Sequence, residues 1–331
     1  MADRVCGRLR LNVNRDQTSP AGAFTVRPYA SEADLLQMQE FLMESRAVSG
    51  DWRFPHVGEL TWDFFMVACH LHPAGHIRLW HDAAGRLSAY AMLGEDPSFS
   101  CWVAPEHEWA GVEAEALSWA EERLAELRRQ DPRGWGGRLA AGARRDDERR
   151  IAFLEKRGFR YVGEFAEVNM LRRLDGPLPE APLPAGCRVR GMEEVGRVTG
   201  RARAQREVWQ PWTVGRVGDE DYAAFMRLPG YRPELDVVAV LADGVVASYA
   251  NCWVDASNRI GDFGPVGTRP AYRRRGLARA VLVEGLRQMR AAGMDRACVS
   301  TGVSNTVARR LYESVGFRVV NEFLDFAKPV G

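Results

Sequence analysis

The chain has 331 residues, 46% hydrophobic and 27% charged, which is enough apolar material for two cores of ordinary size. Lysine plus arginine (45) nearly balances aspartate plus glutamate (44), and a net charge of +1 leaves no electrostatic footprint for a nucleic acid partner. No run of 18 apolar residues exists, and Met1 to Arg10 lacks the apolar core of a signal peptide, so no membrane partner and a cytoplasmic location are expected.

Residues 1–21 read as an N-terminal segment. From residue 22 the pattern runs strand, two helices, three strands, helix, strand, helix and a final strand or hairpin, ending near residue 174. Residues 175–186 carry four prolines in twelve positions, which suits an extended linker and excludes a helix or central strand. Residues 187–331 then repeat the plan. Val26-Arg27 and Val189-Arg190 open the two halves, and the stretch after Gly158 echoes the stretch after Gly316. Offsets of 163 and 158 residues indicate a duplicated domain rather than a short solenoid repeat. The expected fold class is mixed α/β, with two tandem domains, each a partly antiparallel and partly parallel sheet flanked by helices.

In the second half, Asp236–Leu241, Val245–Val254 and Arg259–Val266 form a predicted meander, and Gly264-Pro265 marks a bulge within its last strand. Arg273-Arg274-Arg275-Gly276-Leu277-Ala278 lies between that strand and an amphipathic helix over Leu277–Ala292. Gly276 permits close backbone approach, the first helical turn offers unpaired N–H donors, and the arginines add charge-assisted ones. That setting suits a pyrophosphate. A strand over Arg296–Thr301 and a helix over Asn305–Val315 follow. Asn305 and Tyr312 are seven apart, so they share one face of that helix, two turns from each other.

The hexapeptide resembles the Arg/Gln-x-x-Gly-x-Gly/Ala signature of the GNAT acyl-CoA N-acyltransferases. Its flanks agree, with Val266-Gly267-Thr268-Arg269-Pro270 before it and Asn305, Ala308, Leu311, Tyr312, Gly316 and Phe317 after it. The resemblance covers Val237–Lys328 and implies a GNAT fold with acetyl-CoA as co-substrate and no metal. It also implies backbone contacts from Val266, Gly267 and Thr268 to the pantetheine arm. Arg273, Arg274, Arg275, Gly276, Leu277, Ala278 and Arg279 would hold the pyrophosphate, and Asn305 would help line the CoA channel. Tyr312 would be the general acid, unless it is an aromatic core residue. Asp262, eight residues before Pro270, is placed like the acidic residue of tandem members of the family and would be the base, acting through a water. Its alternatives are a strand-end cap or an ion pair with Arg259.

The first half lacks these features. Aligned on Pro105 and Pro270, Glu108 replaces Arg273 and Glu113 replaces Ala278, while Gly111 survives at Gly276. Asp147 falls opposite Asn305 and Leu154 opposite Tyr312. Carboxylates where a pyrophosphate belongs carry the wrong sign, so this half is expected not to bind CoA and to shape the acceptor site or support its neighbour. The histidines His56, His70, His72, His76, His81 and His107 all fall in it, without the spacing of a metal site. The scattered Cys6, Cys69, Cys101, Cys187, Cys252 and Cys298 suit reduced thiols.

These readings converge on an N-acetyltransferase whose partner is a small-molecule amine acceptor, working as monomer or homodimer through direct attack. An aminoacyl-tRNA-dependent transferase and a non-catalytic CoA-binding sensor or scaffold remain as alternatives. Aromatic residues around Trp52 and Phe54, and around Trp209 and Trp212, border the expected acceptor region.

Overall fold

The computed structural model describes residues 17–18, 24–50, 52–163, 166–196 and 198–330. The N-terminal segment other than 17–18, with Cys6 and the signal-peptide reading, lies outside them. So do Glu164 and Phe165 of the repeated stretch.

In the first half, β1 (Gln17–Thr18) and β2 (Thr25–Pro28) lead to α1 (Glu32–Ser49), α2 (Val57–His70) and α3 (Pro73–His76). The meander β3 (Ile77–His81), β4 (Leu87–Leu93) and β5 (Ser98–Val103) follows, then α4 (Val112–Gln130), β6 (Arg138–Arg144), α5 (Glu148–Lys156), β7 (Arg160–Tyr161) and β8 (Glu167–Arg173). The second half repeats this as β9 (Arg188–Gly191), α6 (Met192–Val195), α7 (Val198–Trp209) and α8 (Asp219–Phe225). Its meander is β10 (Asp236–Val240), β11 (Val246–Asp255) and β12 (Ile260–Thr268), followed by α9 (Leu277–Ala291), β13 (Arg296–Gly302), α10 (Thr306–Ser314) and β14 (Arg318–Pro329). The mixed α/β reading holds, and helix and strand limits fall within a residue or two of those expected in the second half.

Local chemistry explains the element ends. Asp34 accepts hydrogen bonds from the backbone N–H groups of Ala30 (2.6 Å) and Ser31 (3.2 Å), which fixes the start of α1. Asp147 and Asn305 cap α5 and α10 in the same way, accepting from the N–H groups of Arg150 (2.9 Å) and Ala308 (3.2 Å). The apolar stripe of α9, including Val281, Leu282, Leu286 and Met289, is fully buried. Each such side chain contributes about 1.5–3 kcal/mol relative to exposure. The proline-rich segment is extended and held against the second half: Arg172 donates to Pro177 O (2.9 Å) and Arg279 to Glu180 O (3.2 Å).

All the strands join one sheet, in the order β1-β2-β3-β4-β5-β6-β14-β8-β13-β12-β11-β10-β9, with β7 also paired to β14. Among the described residues only β5–β6 and β12–β13 are parallel. The centre of this order is where the halves trade strands. β14, the last strand of the second half, pairs along Phe323–Pro329 with β6 of the first. β8, the last strand of the first half, pairs along its whole length with β13 of the second. The two exchanged strands also pair with each other. Leu324 and Phe326 accordingly sit in the first half's core with Phe24, Trp80 and Leu124, whereas Val168 and Met170 sit in the second half's core with Val281 and Val299.

This exchange makes a direct prediction about cooperativity. Phe326→Ala, 2% exposed in the native chain, is expected to cost about 3–5 kcal/mol and to lower the denaturation midpoint of the whole protein in one transition. Two transitions in urea, with only one of them moved, would show that the halves unfold separately.

Candidate active site

The parallel strands β12 and β13 pair only over Ile260–Phe263 and Arg296–Val299, and beyond that they part. The parting begins at a bulge: Phe263 faces Cys252 and Val266 faces Ala250, so Gly264 and Pro265 together stand opposite Asn251. Further along, Arg269 N–H donates to Ala247 O (3.0 Å). Antiparallel alternation then turns the backbone groups of Gly267 toward β11 and those of Val266 and Thr268 into the gap. Gly267 is needed for another reason, since a Cβ there would meet the Tyr249 hydroxyl at 2.6 Å.

At the mouth of the gap the chain turns into α9. Arg274 (φ 62°) and Gly276 (φ 80°) both adopt the left-handed conformation. Arg273, Arg274, Arg275 and Gly276 are exposed, with Leu277 buried beneath them and Ala278 half-buried. Arg273 Nε donates to Thr268 O (3.2 Å), and Arg279 Nη1 ties α9 to Ser314 O (2.7 Å). The turn thus presents backbone N–H groups and guanidiniums to solvent at a helix N-terminus, the chemistry that binds phosphates. Asn305 is exposed and occupied as the cap of α10.

The corresponding place in the first half has the same backbone and a different filling. Trp109 (φ 64°) and Gly111 (φ 108°) repeat the left-handed pair. There the Glu113 carboxylate, 6% exposed, accepts from Trp109 N–H (2.6 Å) and occupies the anion position from within. Glu108 pairs with Arg53. β5 and β6 also part, after Phe99 and Ala141. Across their gap Arg150 donates to Gly142 O (2.7 Å) and toward Cys101 O (3.5 Å). Its counterpart in the second half, 158 residues on, is Ala308, whose side chain has no donor to place across that gap. Beside Glu113 the void is about 50 Å³, and Arg150 stands between it and a larger cavity at the seam.

Asp262 lies in β12 with 3% exposure, beside Cys298 of β13, whose thiol donates to it (3.4 Å). Burial raises its pKa to about 6, with the Cys298 hydrogen bond and the Arg46 charge opposing the rise. The alternative ion pair is absent, because Arg259 pairs with Asp295 (3.4 Å). Tyr312 is 6% exposed and packs on Phe317, as a core aromatic does. Burial first, then the Asp262 charge, raise its pKa well above that of a free phenol.

What the sequence did not reveal is how the first half enters this site. α2 lies on the second half's sheet, with Phe65 packed against Phe225 and Trp253. His56, at its N-cap, accepts from Gly58 N–H and sets Nε2 3.2 Å from Ile260 O, two residues from Asp262. Burial lowers the His56 pKa to about 3, so the ring is neutral. A histidine therefore borders the second half's sheet, although that half contains none.

Beside Asp262 a cavity of about 220 Å³ opens on the seam, walled by Glu59, Asp63, Glu167, Asn169, Cys298 and Ser300 and by Trp52, Phe54 and Trp102 among others. Glu59 and Asp63 are four apart on α2 and share a face. Glu167 comes from the exchanged strand β8. Burial is the main cause raising the pKa of each of these carboxyls, that of Asp63 to about 7, and neighbouring carboxylates raise those of Glu59 and Asp63 further. Asp63 and Glu167 keep exposed surface, but that surface faces a recess enclosed by protein. Asp262 stands one residue behind the wall rather than in it.

Other sequence signals resolve into packing. Trp209 ends α7 and donates to the Tyr249 hydroxyl (2.8 Å), while Trp212 is 63% exposed. His70 pairs with Glu95 (3.0 Å) and His76 lies 3.0 Å from Leu93 O. Among the described residues, no group of three or more His, Cys, Asp or Glu is placed to hold a metal ion, and no helix is long and apolar enough to cross a membrane.

A central parallel pair parting beside a left-handed glycine turn and a helix N-terminus defines an acyl-CoA acyltransferase fold of the GNAT type, present here in tandem. The chain matches the model of the Acetyltransferase (GNAT) family over residues 202–317, within its second half. It is 32% identical over 174 residues to a mycothiol acetyltransferase of Thermobispora bispora, an alignment spanning 48% of this chain and 56% of that protein. Two solved structures share its fold over nearly the whole length. One is a GCN5-related N-acetyltransferase from Sphaerobacter thermophilus, with TM-score 0.60, 21% identity, and coverage of 95% of this chain and 97% of that one. The other is a tandem GNAT protein from the clavulanic acid biosynthesis pathway, with TM-score 0.61, 14% identity, and coverage of 93% and 99%.

The asymmetry of the two gaps sets the expected stoichiometry. Calorimetric titration with acetyl-CoA should give one site per chain, abolished in Arg273→Glu/Gly276→Glu. Two sites would show that Glu113 and Arg150 do not block the first half.

Proposed function

We propose that the protein is an N-acetyltransferase that moves an acetyl group from acetyl-CoA to a primary amine of a small molecule, with donor binding and chemistry in residues 187–331. The observation that carries this reading is the position of Asp262. It lies between the parted strands that end in the phosphate-binding turn and an acid-lined cavity able to receive an amine. The relative's name, mycothiol acetyltransferase, supports a small-molecule acceptor. So does the cavity volume of about 220 Å³, the space of roughly seven waters at ~30 Å³ each.

Acetyl-CoA supplies an activated thioester. The turn at 273–279 holds its pyrophosphate, and the backbone groups of Val266 and Thr268 meet the pantetheine amides in the gap. An amine arriving as ammonium must lose a proton before attack, and Asp262, with a pKa of about 6, is ionised and basic enough near neutrality to take it, directly or through one water. Tyr312, protonated at every working pH, donates to the departing thiolate as the tetrahedral intermediate collapses. Attack is direct, with no acyl-enzyme. Cys298 stays a thiol, since burial pushes its pKa up.

Two substitutions test these roles through thiol release from acetyl-CoA. Tyr312→Phe should lower kcat by about 10²–10⁴-fold while leaving the affinity for acetyl-CoA within a few-fold of wild type. In the wild type, kcat/KM should fall as the pH drops through about 6, because protonated Asp262 cannot accept a proton. Asp262→Asn should be slow and should lack that limb. An unchanged acid limb in Asp262→Asn would assign the base elsewhere.

A further inference from the structure

The cavity at the seam holds more carboxyl groups than transfer to a single amine requires. Glu59, Asp63 and Glu167 make no hydrogen bond or ion pair with any described residue, although Arg46 and Arg150 stand on the same wall. Neither guanidinium bonds these carboxyls, although the Arg46 charge opposes the rise in the pKa of Glu59. Arg46 donates to Phe54 O (2.7 Å) and lies 3.9 Å from Asp255, and Arg150 bonds the carbonyls of Gly142 and Cys101. A second, independent feature points into the same space. Tyr90 is 1% exposed and lines the cavity, its ring fixed edge-on against Phe41 at 5.6 Å, and its hydroxyl has no hydrogen-bond partner among the described residues. A buried hydroxyl left unpaired beside unpaired carboxylates is a cost that a ligand rich in N–H donors removes.

The acids also divide by origin. Asp262 belongs to the second half and adjoins the gap, whereas Asp63 and Glu167 belong to the first half and reach the cavity from α2 and β8. We propose that this cavity selects an acceptor with two cationic nitrogens, one acetylated beside Asp262 and the other retained as an ammonium by Asp63 and Glu167. Compact diamines and diamino rings fit the volume. Tyr90 accepts an N–H from the retained ammonium, and Trp52 supplies a ring face to it. The first half, closed to CoA, is then the specificity half of the enzyme. This assignment rests on the acyl-transfer reading above and extends it to the substrate class.

The test compares matched pairs on the full-length protein with CoA present: 1,4-diaminobutane against butylamine, and cis-1,3-diaminocyclohexane against cyclohexylamine. Calorimetry should show each diamine binding at least about tenfold more tightly than its monoamine, a difference of about 1.4 kcal/mol. In Asp63→Asn and in Glu167→Gln that preference should shrink to about threefold or less, with acetyl-CoA titrations reporting that each variant is folded. Equal binding of diamine and monoamine to the wild type, or a preference that survives both substitutions, overturns the proposal. The two readings fail separately. A diamine preference without thiol release from acetyl-CoA for any of the amines sinks acyl transfer and leaves the cavity assignment standing. Thiol release with no diamine preference does the reverse.

Discussion

Two strands at the centre of the sheet belong to the opposite half from the one whose core they complete, and the rest of the architecture depends on that exchange. With β14 bonded to β6 and β8 bonded to β13, no edge separates the duplicated units. The sheet is continuous, so the two faces of the molecule are continuous too. On one face α9 and α10 cover the second half's core. On the other, α2 crosses the seam and lies over β11 and β12. A residue of β8 or α2 can then reach the neighbourhood of Asp262 although it is some 95 to 200 positions away in sequence. In halves merely tethered by a flexible linker, the relative placement of these carboxyls would not be fixed.

The two gaps show how little is needed to turn one backbone into a binding site or a closed joint. Both turns carry a left-handed residue two positions before a left-handed glycine, so both expose backbone N–H groups. In the first half the carboxylate of Glu113 folds back onto that turn, and an anion competing for it would have to displace a buried, hydrogen-bonded group. Arg150 meanwhile satisfies carbonyls on both parted strands. In the second half the matching residues are Ala278 and Ala308, which have no polar atoms with which to close the site. The same backbone turn is thus closed by its own side chains in one half and left without such side chains in the other.

How much of this the sequence discloses depends on distance along the chain. The turn at Arg273–Ala278, the bulge at Gly264-Pro265 and the capping Asn305 are local, and each is legible because one residue type at one position imposes one geometry. Asp262 was legible by its offset from that turn. Glu59, Asp63 and Glu167 were not, because ordinary surface acids have the same spelling. The available signal was weak: Glu59 and Asp63 share a face in a helix whose neighbours Leu60, Phe64, Phe65 and Val67 are buried. Strand exchange left no mark at all, since β8 and β14 alternate as well in either partner sheet. Arg150 was hidden by the abundance of arginine, which supplies all but Lys156 and Lys328 of the basic residues.

The direction of the pKa shifts ties the seam to function more closely than its shape does. Asp262 and Asp63, at about 6 and about 7, lie above the value near 4 that an unfolded aspartate has, and those of Glu59 and Glu167 are raised as well. A carboxyl raised in the folded state adds stability that is complete below the unfolded value and is lost as the pH rises through the folded one. Near neutrality these groups therefore weigh against the fold, and the cost is concentrated where helix α2 meets the exchanged strands. Elsewhere the chain pairs its buried charges: Arg201 and Asp236, both 0% exposed, meet at 2.9 Å with Tyr222 and Tyr231 on the same carboxylate. On the acceptor reading proposed above, a cationic acceptor adds to the charge of Arg46 at the seam, and its binding then stabilises the contact between the halves in the same event that positions it for attack.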